Sequence, residues 1–414
     1  MLIYVLVKTV MKNIVIISSV FPPEPVTSAS MNFDLAMKLS ECHDVTVLRP
    51  RPTRPLGHVS EMEDVTYPFE CITLDSYTCP ESVLAGRFRE SVSFGMACSR
   101  YIAGCHGRID FVYNSSWQLF GVNIVARTCV RHGIPYILPI QDIYPESLFT
   151  GRNFPESIKR FLTGILLPID RYNQLHSAKV RTISEEMAAY LSLTRRIPSD
   201  RYMLLDNWQD DEKYSFTPIC KEAGQVRFVY VGSVNAHSNT ELIINAFREA
   251  GLVNAQLHIY GSGNHLDKCR EIVRDASMEN VLFDRVAKED VPLVQSSAHV
   301  LVLALPAGNG RLCLPSKVTS YMFSGRPLLA SVDEDSAAAQ YIAWAGCGVT
   351  VPPDDIGALA EGFRKYAAMS GRELSEMGTK ARHFAERKLS KASNLSEMVS
   401  VIQHILDDDE RIQG

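Results

Sequence analysis

The sequence predicts an α/β protein that contains two doubly wound parallel sheets, one in each half of the chain. A length of 414 residues is too great for a single hydrophobic core, so two domains are expected. Short apolar runs that suit buried strands alternate with helical patterns, and this alternation restarts near residue 227 after a polar, acidic stretch. Strands that alternate with helices favour a parallel sheet covered on both faces.

The composition is that of a soluble globular protein, with 46% apolar and 21% charged residues. A net charge of -5 gives no basis for nucleic-acid binding, which usually needs a basic surface. The ten cysteines are scattered without a C-x-x-C pair or a histidine cluster, which favours free thiols in a reducing cytoplasm and no metal site. No apolar run reaches the roughly 18 residues that a membrane-spanning helix requires.

Strands are predicted in the first half at residues 14–18, 44–48, 111–113, 136–138 and 180–183, with a helix at 31–39. The loop before this helix lacks the glycine fingerprint of a dinucleotide-binding fold. The loop after the strand at 136–138 contains two carboxylates, Asp142 and Glu146. Asp142 is the better functional candidate, because Glu146 could instead cap the next helix.

Strands are predicted in the second half at residues 227–231, 256–260, 281–283, 299–305 and 328–332, with a helix at 240–248. Gly232 and Ser233 form the turn after the first of these strands. Gly261 and Gly263 follow the second strand, where a tight turn favours glycine whatever the ligand. The tail at 393–406 is an amphipathic helix that must bury its apolar face on protein, and the acidic stretch at 407–410 is predicted to end it.

The most informative stretch is residues 314–327, which follows an apolar strand and a loop with two glycines. Ser316 is predicted to be the N-cap of a short helix. The inner face of this helix is predicted to carry Val318, Tyr321 and Met322. Gly325 stands where a left-handed residue ends a helix, directly before a new strand.

Lys317 falls in the first turn of this predicted helix, where the helix dipole mildly disfavours a lysine. A bound phosphate would reverse that preference, because Lys317 and the free amide groups would converge on one anion. The loop opens at the carboxyl edge of a parallel strand, which is where open α/β sheets bind ligands. The alternative is an ordinary strand-helix unit with a solvated lysine.

Several motifs give the chain a resemblance to a known family. They are FPPEP at 21–25, QDIYPES at 141–147, NW at 207–208, YVGS at 230–233, LPSK at 314–317 and SGRP at 324–327. In this order and spacing, the chain resembles the family 4 glycosyltransferases found in bacterial capsule and O-antigen gene clusters. The similarity runs from Met11 to about Leu406.

The resemblance implies a GT-B fold, in which two Rossmann-like domains face each other across a cleft and a C-terminal helix crosses back to the first domain. Residues 1–10 are interpreted as an N-terminal extension, since they lack the basic n-region and the cleavage site of a signal peptide. The expected domains are 11–206 on the acceptor side and 214–385 on the donor side. A linker at 207–213 joins them, and the crossover helix and acidic tail occupy 386–414.

The resemblance also implies an activity, which is retaining transfer of a sugar from a nucleotide diphosphate donor without a cofactor or a metal ion. The donor is expected to be UDP-linked and the transferred group a hexosyl or N-acetylhexosaminyl unit. The acceptor is expected to be a polyprenyl-linked saccharide in surface polysaccharide synthesis. Such an enzyme would lie in the cytoplasm, on the cytoplasmic face of the inner membrane.

Site residues follow from the same resemblance. The donor diphosphate is expected at Leu314, Pro315, Ser316 and Lys317 and near Gly232 and Ser233. The base is expected against Arg285 and Val286, and the acceptor beside Ser28, Tyr144 and Glu146. Asp142 and Lys317 are the candidate catalytic residues.

Three departures from the family pattern affect this site. The glutamates that often grip the donor sugar and the ribose are replaced by Leu312 and Ser320, and Ser320 is retained as a candidate donor contact. The usual Arg/Lys pair falls on Ser233 and Ser238, and the usual histidine is Gln141. With fewer cations for the diphosphate, more weight falls on Lys317, with Arg311 as a second candidate.

These departures leave an alternative, a catalytically degenerate GT-B subunit that binds a partner enzyme or a glycan. A membrane partner is also expected, because residues 157–167 place Lys159 and Arg160 beside apolar residues, and Arg87, Phe88 and Arg89 form a second basic and apolar spot. Stretches of this kind can lie on an anionic bilayer, although a helix that faces the core with a basic outer edge has the same pattern.

Overall fold

A computed structural model of the protein describes residues 11–413, except residue 25 and residues 54–65, 81–82, 150–153, 209–210, 220–224, 236–237 and 309–314. The chain divides into two compact units. One unit runs to Leu205 and also includes the chain from Leu395 onward, and the other unit is Asp206–Asn394.

The first unit is built on a parallel sheet whose strands are β1 Asn13–Ser18, β2 Asp44–Arg49, β3 Glu70–Thr73, β4 Phe111–Ser115, β5 Tyr136–Pro139, β6 Lys179–Thr182 and β7 Tyr202–Leu204. Their order in the sheet is β3-β2-β1-β4-β5-β6-β7. The order reverses between β1 and β4, which are parallel neighbours. The loops that follow these two strands therefore leave the same edge side by side, at the position where such sheets bind ligands.

The helices of the first unit are α1 Thr27–Leu39, α2 Leu84–Cys105, α3 Phe120–His132, α4 Glu156–Leu175 and α5 Glu185–Arg195. The interior of β1 is buried without interruption, from Ile14 to Ile17. A strand reads as a continuous apolar run in this way when helices cover both faces of its sheet.

The second unit is built on a parallel sheet whose strands are β8 Val226–Val231, β9 Ala255–Tyr260, β10 Val281–Asp284, β11 Val300–Ala304, β12 Leu328–Ser331 and β13 Gly348–Val351. Its order is β10-β9-β8-β11-β12-β13, with the reversal between β8 and β11. The helices are α6 Thr240–Ala250, α7 Leu266–Asp275, α8 Val291–Ser296, α9 Ser316–Phe323, α10 Ala337–Ala345, α11 Ile356–Ala368 and α12 Gly371–Lys388. The last helix, α13, is Lys391–Gln413.

Alternate residues of β8 enter two separate cores. Phe228 and Tyr230 pack with residues of α6 and α11 on one face of the sheet. Val229 and Val231 pack with residues of α9 and α10 on the other face. The structure thus confirms the predicted fold, an α/β protein with two doubly wound parallel sheets, and each strand predicted from an apolar run is present.

Some predicted boundaries need correction. Pro315, and not Ser316, is the N-cap of α9, and no side chain caps this helix, so Ser316 is its first residue. Helix α1 begins at Thr27 instead of residue 31. The last helix runs through the acidic stretch that was expected to end it, and residue 386 lies inside α12.

Three other features of the described chain bear on the predictions. The apolar face of α13 is buried, as its pattern requires, at Leu395, Met398, Ile402 and Leu406. The described cysteines at 42, 71, 79, 98, 105, 129, 269 and 347 are all free thiols. None of the helices in the described ranges is long and apolar enough to cross a membrane.

Candidate functional site

The carboxyl edge of the second sheet brings together residues that are far apart in the sequence. Gly232 and Ser233 follow β8 directly, and α9 begins after β11, which is the neighbour of β8. The reversal of strand order therefore places Lys317 beside the turn at Gly232, as the sequence predicted for a donor site. Pro315 and Lys317 are half-buried, and Ser316 is exposed at the start of the helix.

Lys317 is held in a defined position by Tyr230. The Lys317 ammonium donates a hydrogen bond to the Tyr230 hydroxyl, with 2.5 Å between Nζ and Oη. The same ammonium lies 4.4 Å from the centroid of the tyrosine ring, within the range of a cation–π interaction. The Tyr230 hydroxyl in turn donates to the Ser233 carbonyl at 2.6 Å. One hydroxyl thus accepts from the lysine and donates to the turn, which fixes both.

The lysine side chain can cross the end of β8 only because residue 232 is glycine. A Cβ atom at Gly232 would lie 2.2 Å from Cε of Lys317, and its backbone has a φ of +145°, which favours glycine. Gly261 approaches the same turn, and a Cβ there would lie 1.9 Å from the Gly232 carbonyl oxygen. Gly261 is therefore required because the backbone at Gly232 packs against it. This agrees with the prediction that a tight turn favours glycine at this position.

No side chain caps the first turn of α9, and of its amides Val318 donates to the Pro315 carbonyl at 2.9 Å, whereas those of Ser316 and Lys317 make no hydrogen bond to the described residues. These amides and the Lys317 ammonium are both attractive to an anion. Lys317 supplies a positive charge directly beside the turn at Gly232. Arg311 and Leu314 were also predicted to contribute, but both lie outside the described ranges.

Ser320, which was predicted to contact the donor, makes hydrogen bonds within its own unit. It is buried, and its hydroxyl donates to the Lys317 carbonyl at 3.0 Å and accepts from the Gln295 amide at 3.2 Å. Gln295 also accepts from the Ser324 hydroxyl at 2.8 Å. Ser320 therefore joins α9 to α8, and its contact with the donor stays a prediction.

Arg285 and Val286 follow β10, the edge strand that lies two positions from β8 in the sheet. Arg285 is exposed, and its backbone amide donates to the Asp284 carboxylate at 2.7 Å. Val286 is half-buried and packs against the same core as Val231. The structure places this pair at the same edge of the sheet as Gly232, and its contact with a nucleotide base stays a prediction.

The first sheet carries a second candidate site, a pocket of about 540 Å³. It includes Asp142 and Tyr144, two residues predicted from the sequence. Arg87 and Phe88, which the sequence analysis assigned to a membrane-binding spot, also line it, together with Ser147 and with Trp117, which the sequence did not single out. Asp142 keeps an exposed surface, but desolvation by the surrounding protein raises the pKa of its carboxyl group.

Glu146 does not line this pocket, and the structure places it in an ion pair. Its carboxylate accepts from Arg195 at 2.6 Å and 2.8 Å and from the Tyr190 hydroxyl at 2.9 Å. Burial alone would raise the pKa of Glu146, but the hydrogen bonds and the charge of Arg195 lower it. Arg195 also donates to the Tyr144 carbonyl at 2.5 Å. Glu146 therefore holds the loop to α5, and its contact with an acceptor stays a prediction.

Ser28 is the second residue of α1 and is half-buried. Its helix follows the loop after β1, so it lies at the carboxyl edge where the order of the first sheet reverses. Its predicted contact with an acceptor stays a prediction. Among the described residues, those predicted for each site thus lie toward one edge of the sheet in their unit.

Comparison with known proteins finds a glycosyltransferase family model and similar glycosyltransferases. Residues 216–384 match the family model of the glycosyl transferases group 1. Over 291 residues, the chain is 21% identical to the probable glycosyltransferase WbjE of Pseudomonas aeruginosa, in a match that covers 67% of this chain and 70% of the relative.

Solved structures show the same fold at low sequence identity. HepE of Anabaena in complex with UDP superposes with a TM-score of 0.67 at 13% identity, covering 95% of this chain and 100% of that one. WaaG, a glycosyltransferase involved in lipopolysaccharide biosynthesis, gives a TM-score of 0.64 at 16% identity and covers 94% of this chain and 99% of that one.

The two parallel sheets and these superpositions define the architecture of the chain as the GT-B fold of glycosyltransferases. The family match identifies its second unit more closely. The chain carries a glycosyl transferases group 1 domain at residues 216–384, and this domain contains Gly232, Tyr230 and Lys317.

Proposed function

We propose that the protein is a retaining, metal-independent glycosyltransferase that takes its sugar from a nucleotide diphosphate. The observation that carries this proposal is the Lys317 ammonium, which is held by Tyr230 across the glycine turn at the edge of the group 1 domain. A donor diphosphate placed there would meet the ammonium, the Ser316 hydroxyl and the free amides of α9 together.

The donor in this proposal is UDP-linked and carries a hexosyl or N-acetylhexosaminyl group. Support comes from HepE of Anabaena, which was solved with UDP and with UDP-glucose. Arg285 and Val286 would receive the base, at the same edge of the sheet as the diphosphate. No cofactor enters the proposed reaction.

The proposed reaction exchanges one bond to the anomeric carbon of the sugar for another. The bond from this carbon to the β-phosphate oxygen breaks, and a bond to the acceptor oxygen forms on the same face, so that configuration is retained. The acceptor proton passes to the departing diphosphate. Lys317 and the α9 amides stabilise the charge that develops on the diphosphate, which is the kind of electrostatic stabilisation that lowers a barrier most.

The acceptor in this proposal is a polyprenyl-linked saccharide in bacterial surface polysaccharide synthesis. Support for surface polysaccharide synthesis comes from WaaG, a glycosyltransferase involved in lipopolysaccharide biosynthesis. The site for this acceptor is the pocket at Asp142 and Tyr144, with Ser28 at the same edge.

A lipid-linked acceptor requires the enzyme to reach a membrane, and α4 has a suitable surface. Ile158, Phe161 and Ile165 lie on one face of α4 with 43%, 67% and 49% of their surface exposed. Lys159 and Arg160 lie between them in the sequence. A helix with exposed apolar residues and flanking cations binds anionic lipid surfaces. The protein would then act in the cytoplasm, as a peripheral protein of the inner membrane.

A thermal-shift experiment with UDP, ADP and GDP, in the presence of EDTA, tests the proposal. A ligand at 100 times its Kd adds about 2.7 kcal/mol of stability and should raise the midpoint by several degrees. We expect this shift for UDP without a metal ion. Failure of all three nucleotides to raise the midpoint would contradict the proposal.

One observation supports a second candidate, a GT-B subunit that binds without turnover. Ser320 occupies the place of a family glutamate and is committed to a hydrogen bond with Gln295. Incubation with UDP-glucose and UDP-N-acetylglucosamine separates the two candidates. An enzyme should slowly release UDP from one donor even without acceptor, whereas a degenerate subunit should bind UDP and release none.

A further inference from the structure

The pocket in the first unit contains charged groups that the protein itself leaves available. The Arg87 guanidinium donates through Nη1 to Glu90 at 3.1 Å, and its Nε and Nη2 atoms make no hydrogen bond to any described residue. The Asp142 carboxylate likewise accepts none from the described residues. Arg87 and Asp142 line one pocket without forming an ion pair with each other.

Aromatic side chains supply another part of the pocket wall. Trp117 lies under Arg87, whose guanidinium carbon is 4.7 Å from the indole ring centroid. Phe88 contacts Phe120 edge to face, with ring centroids 4.8 Å apart, and 53% of the Phe88 surface is exposed. Aromatic rings therefore line one part of the pocket, and polar groups with unused hydrogen-bonding capacity line another. This combination suits a ligand that has both an apolar face and hydroxyl groups.

The site lies at the functional edge of its sheet. Trp117 follows β4 and Asp142 follows β5, and these strands are neighbours beside the point where strand order reverses. The Ser147 hydroxyl, which also lines the pocket, is buried without a hydrogen-bond partner among the described residues. A volume of about 540 Å³ falls in the range of small-molecule sites.

We propose that this pocket binds one uncharged sugar ring of the acceptor, with its apolar face against Phe88 and Trp117 and its hydroxyl groups on Asp142 and Arg87. This inference rests on the proposed function and names the part of the acceptor that the enzyme recognises. Phe88, Arg87 and Trp117 then become residues that determine acceptor specificity.

Charge and polarity disfavour the other parts of a lipid-linked acceptor. A polyprenyl chain in the pocket would leave the Asp142 carboxylate and the free Arg87 donors without partners, which is unfavourable. A diphosphate would be repelled by Asp142, since the charge of Arg87 is already balanced by Glu90 at 3.1 Å. The same balance disfavours an acidic sugar, whereas the hydroxyl groups of a neutral ring can donate to Asp142 and accept from Arg87.

Saturation-transfer NMR on the full chain, with UDP present to occupy the donor site, tests this inference. The probes are methyl glucoside, methyl N-acetylglucosaminide, methyl glucuronide and geranyl diphosphate. We expect an uncharged glycoside to bind, and Asp142→Asn to weaken that binding by about tenfold or more. Phe88→Ser should weaken it about two- to tenfold, and because Phe88 is half-exposed this variant should fold.

A matched control is Trp344→Phe, which changes an aromatic residue that is 55% exposed on α10. It should leave glycoside binding unchanged. The inference is overturned if neither uncharged glycoside binds, or if Phe88→Ser leaves the affinity for these glycosides unchanged. It is also overturned if the glucuronide or geranyl diphosphate binds more tightly than the uncharged glycosides. UDP affinity of the unmodified protein is measured in the same samples, so that loss of UDP binding reports on the proposed function and loss of glycoside binding alone reports on the pocket.

Discussion

The Lys317 ammonium and the Tyr230 hydroxyl are joined by a hydrogen bond of 2.5 Å, although 87 positions separate the two residues in the chain. Tyr230 is fully buried in β8, so the lysine is anchored to an inner strand of its sheet. A cation that is held in place before its ligand arrives loses little freedom on binding. The arrangement also stabilises the lysine in the free protein, which the helix dipole alone would disfavour.

The first prediction concerns the charge of this lysine. Lys317→Ala should weaken UDP binding by roughly 10- to 150-fold, because a hydrogen bond to a charged group contributes about 1.5–3 kcal/mol. The free energy of unfolding should fall by only about 1 kcal/mol, since the lost contact with Tyr230 is partly offset by relief from the helix dipole. Calorimetric titration and urea unfolding measure the two effects.

Lys365→Ala is a control for this variant, because Lys365 is exposed in the last turn of α11. It should change UDP affinity by less than about twofold. If Lys317→Ala binds UDP as tightly as this control does, Lys317 is a surface residue and the donor site lies elsewhere.

The second prediction tests the glycine over which the lysine lies. Gly232→Ala should displace Lys317, since the new Cβ would stand 2.2 Å from Cε, and its backbone has a φ of +145°. We expect a loss of UDP affinity similar to that of Lys317→Ala, together with a stability loss of about 1–3 kcal/mol from strain. Gly251→Ala is the control, because this residue has a φ of +63° and no contact closer than 4.0 Å. It should lose stability and keep full affinity, and equal affinities for both variants would show that the lysine position is unimportant.

The sequence allowed the central strands to be predicted because each is a buried apolar run. It did not reveal β3, β7 and β13, whose residues are mostly half-exposed. All three lie at an edge of a sheet. Edge strands are covered less completely and therefore lack the apolar run by which the inner strands are recognised.

The candidate site could be predicted in part. Lys317 is recognisable because its place in the helix is unfavourable without an anion. Its partner Tyr230 is not recognisable from the sequence, because a tyrosine in an apolar strand looks like an ordinary core residue. Glu146 and Arg195 are 49 positions apart, and only the fold shows that they form an ion pair. The residues that a sequence cannot supply are thus those whose role depends on a contact between distant segments.

The third prediction concerns Asp142. Asp142→Asn keeps the shape of the side chain and removes its charge, so turnover should fall by about tenfold or more through weaker hydrogen bonds to the acceptor. UDP affinity should stay within about twofold, because Asp142 belongs to the first unit and the donor site to the second. Release of UDP from its sugar donor in the presence of acceptor measures turnover. Turnover equal to that of the unmodified protein would remove Asp142 from the site.

The fourth prediction concerns the membrane. The protein should sediment with phosphatidylglycerol vesicles at low salt and dissociate as salt screens the attraction. Phe161→Ser should lower the bound fraction by about tenfold, since Phe161 is 67% exposed on α4 and would insert its ring. Leu293→Ser changes a side chain that is 69% exposed on α8 and serves as the control. Absence of binding at low salt, or an equal effect of both variants, would contradict the role of α4.

The last prediction concerns pH and the packing of α13. His43 is 4% exposed, and burial lowers the pKa of its imidazole from the ordinary 6.5, although a side-chain hydrogen bond with Gln403 of α13 and the charge of Asp110 act in the opposite direction. Lys12 is the other charged group that acts on this ring, and it lowers the pKa further. The Nδ1 atom has no hydrogen-bond partner among the described residues, so a second proton there would be unsatisfied.

The folded state binds this proton less readily than the unfolded state does. The free energy of unfolding should therefore keep its full value above about pH 6.5 and fall as the pH drops below it. The loss continues until the pH reaches the lowered pKa of the folded state, with a slope of at most about 1.4 kcal/mol per pH unit for one proton. Urea unfolding at pH values between 7.5 and 5 measures this slope. His43→Gln should reduce this slope, because it removes the buried group that takes up the proton. An equal slope in the unmodified protein and in His43→Gln would show that His43 is not the residue that couples folding to pH.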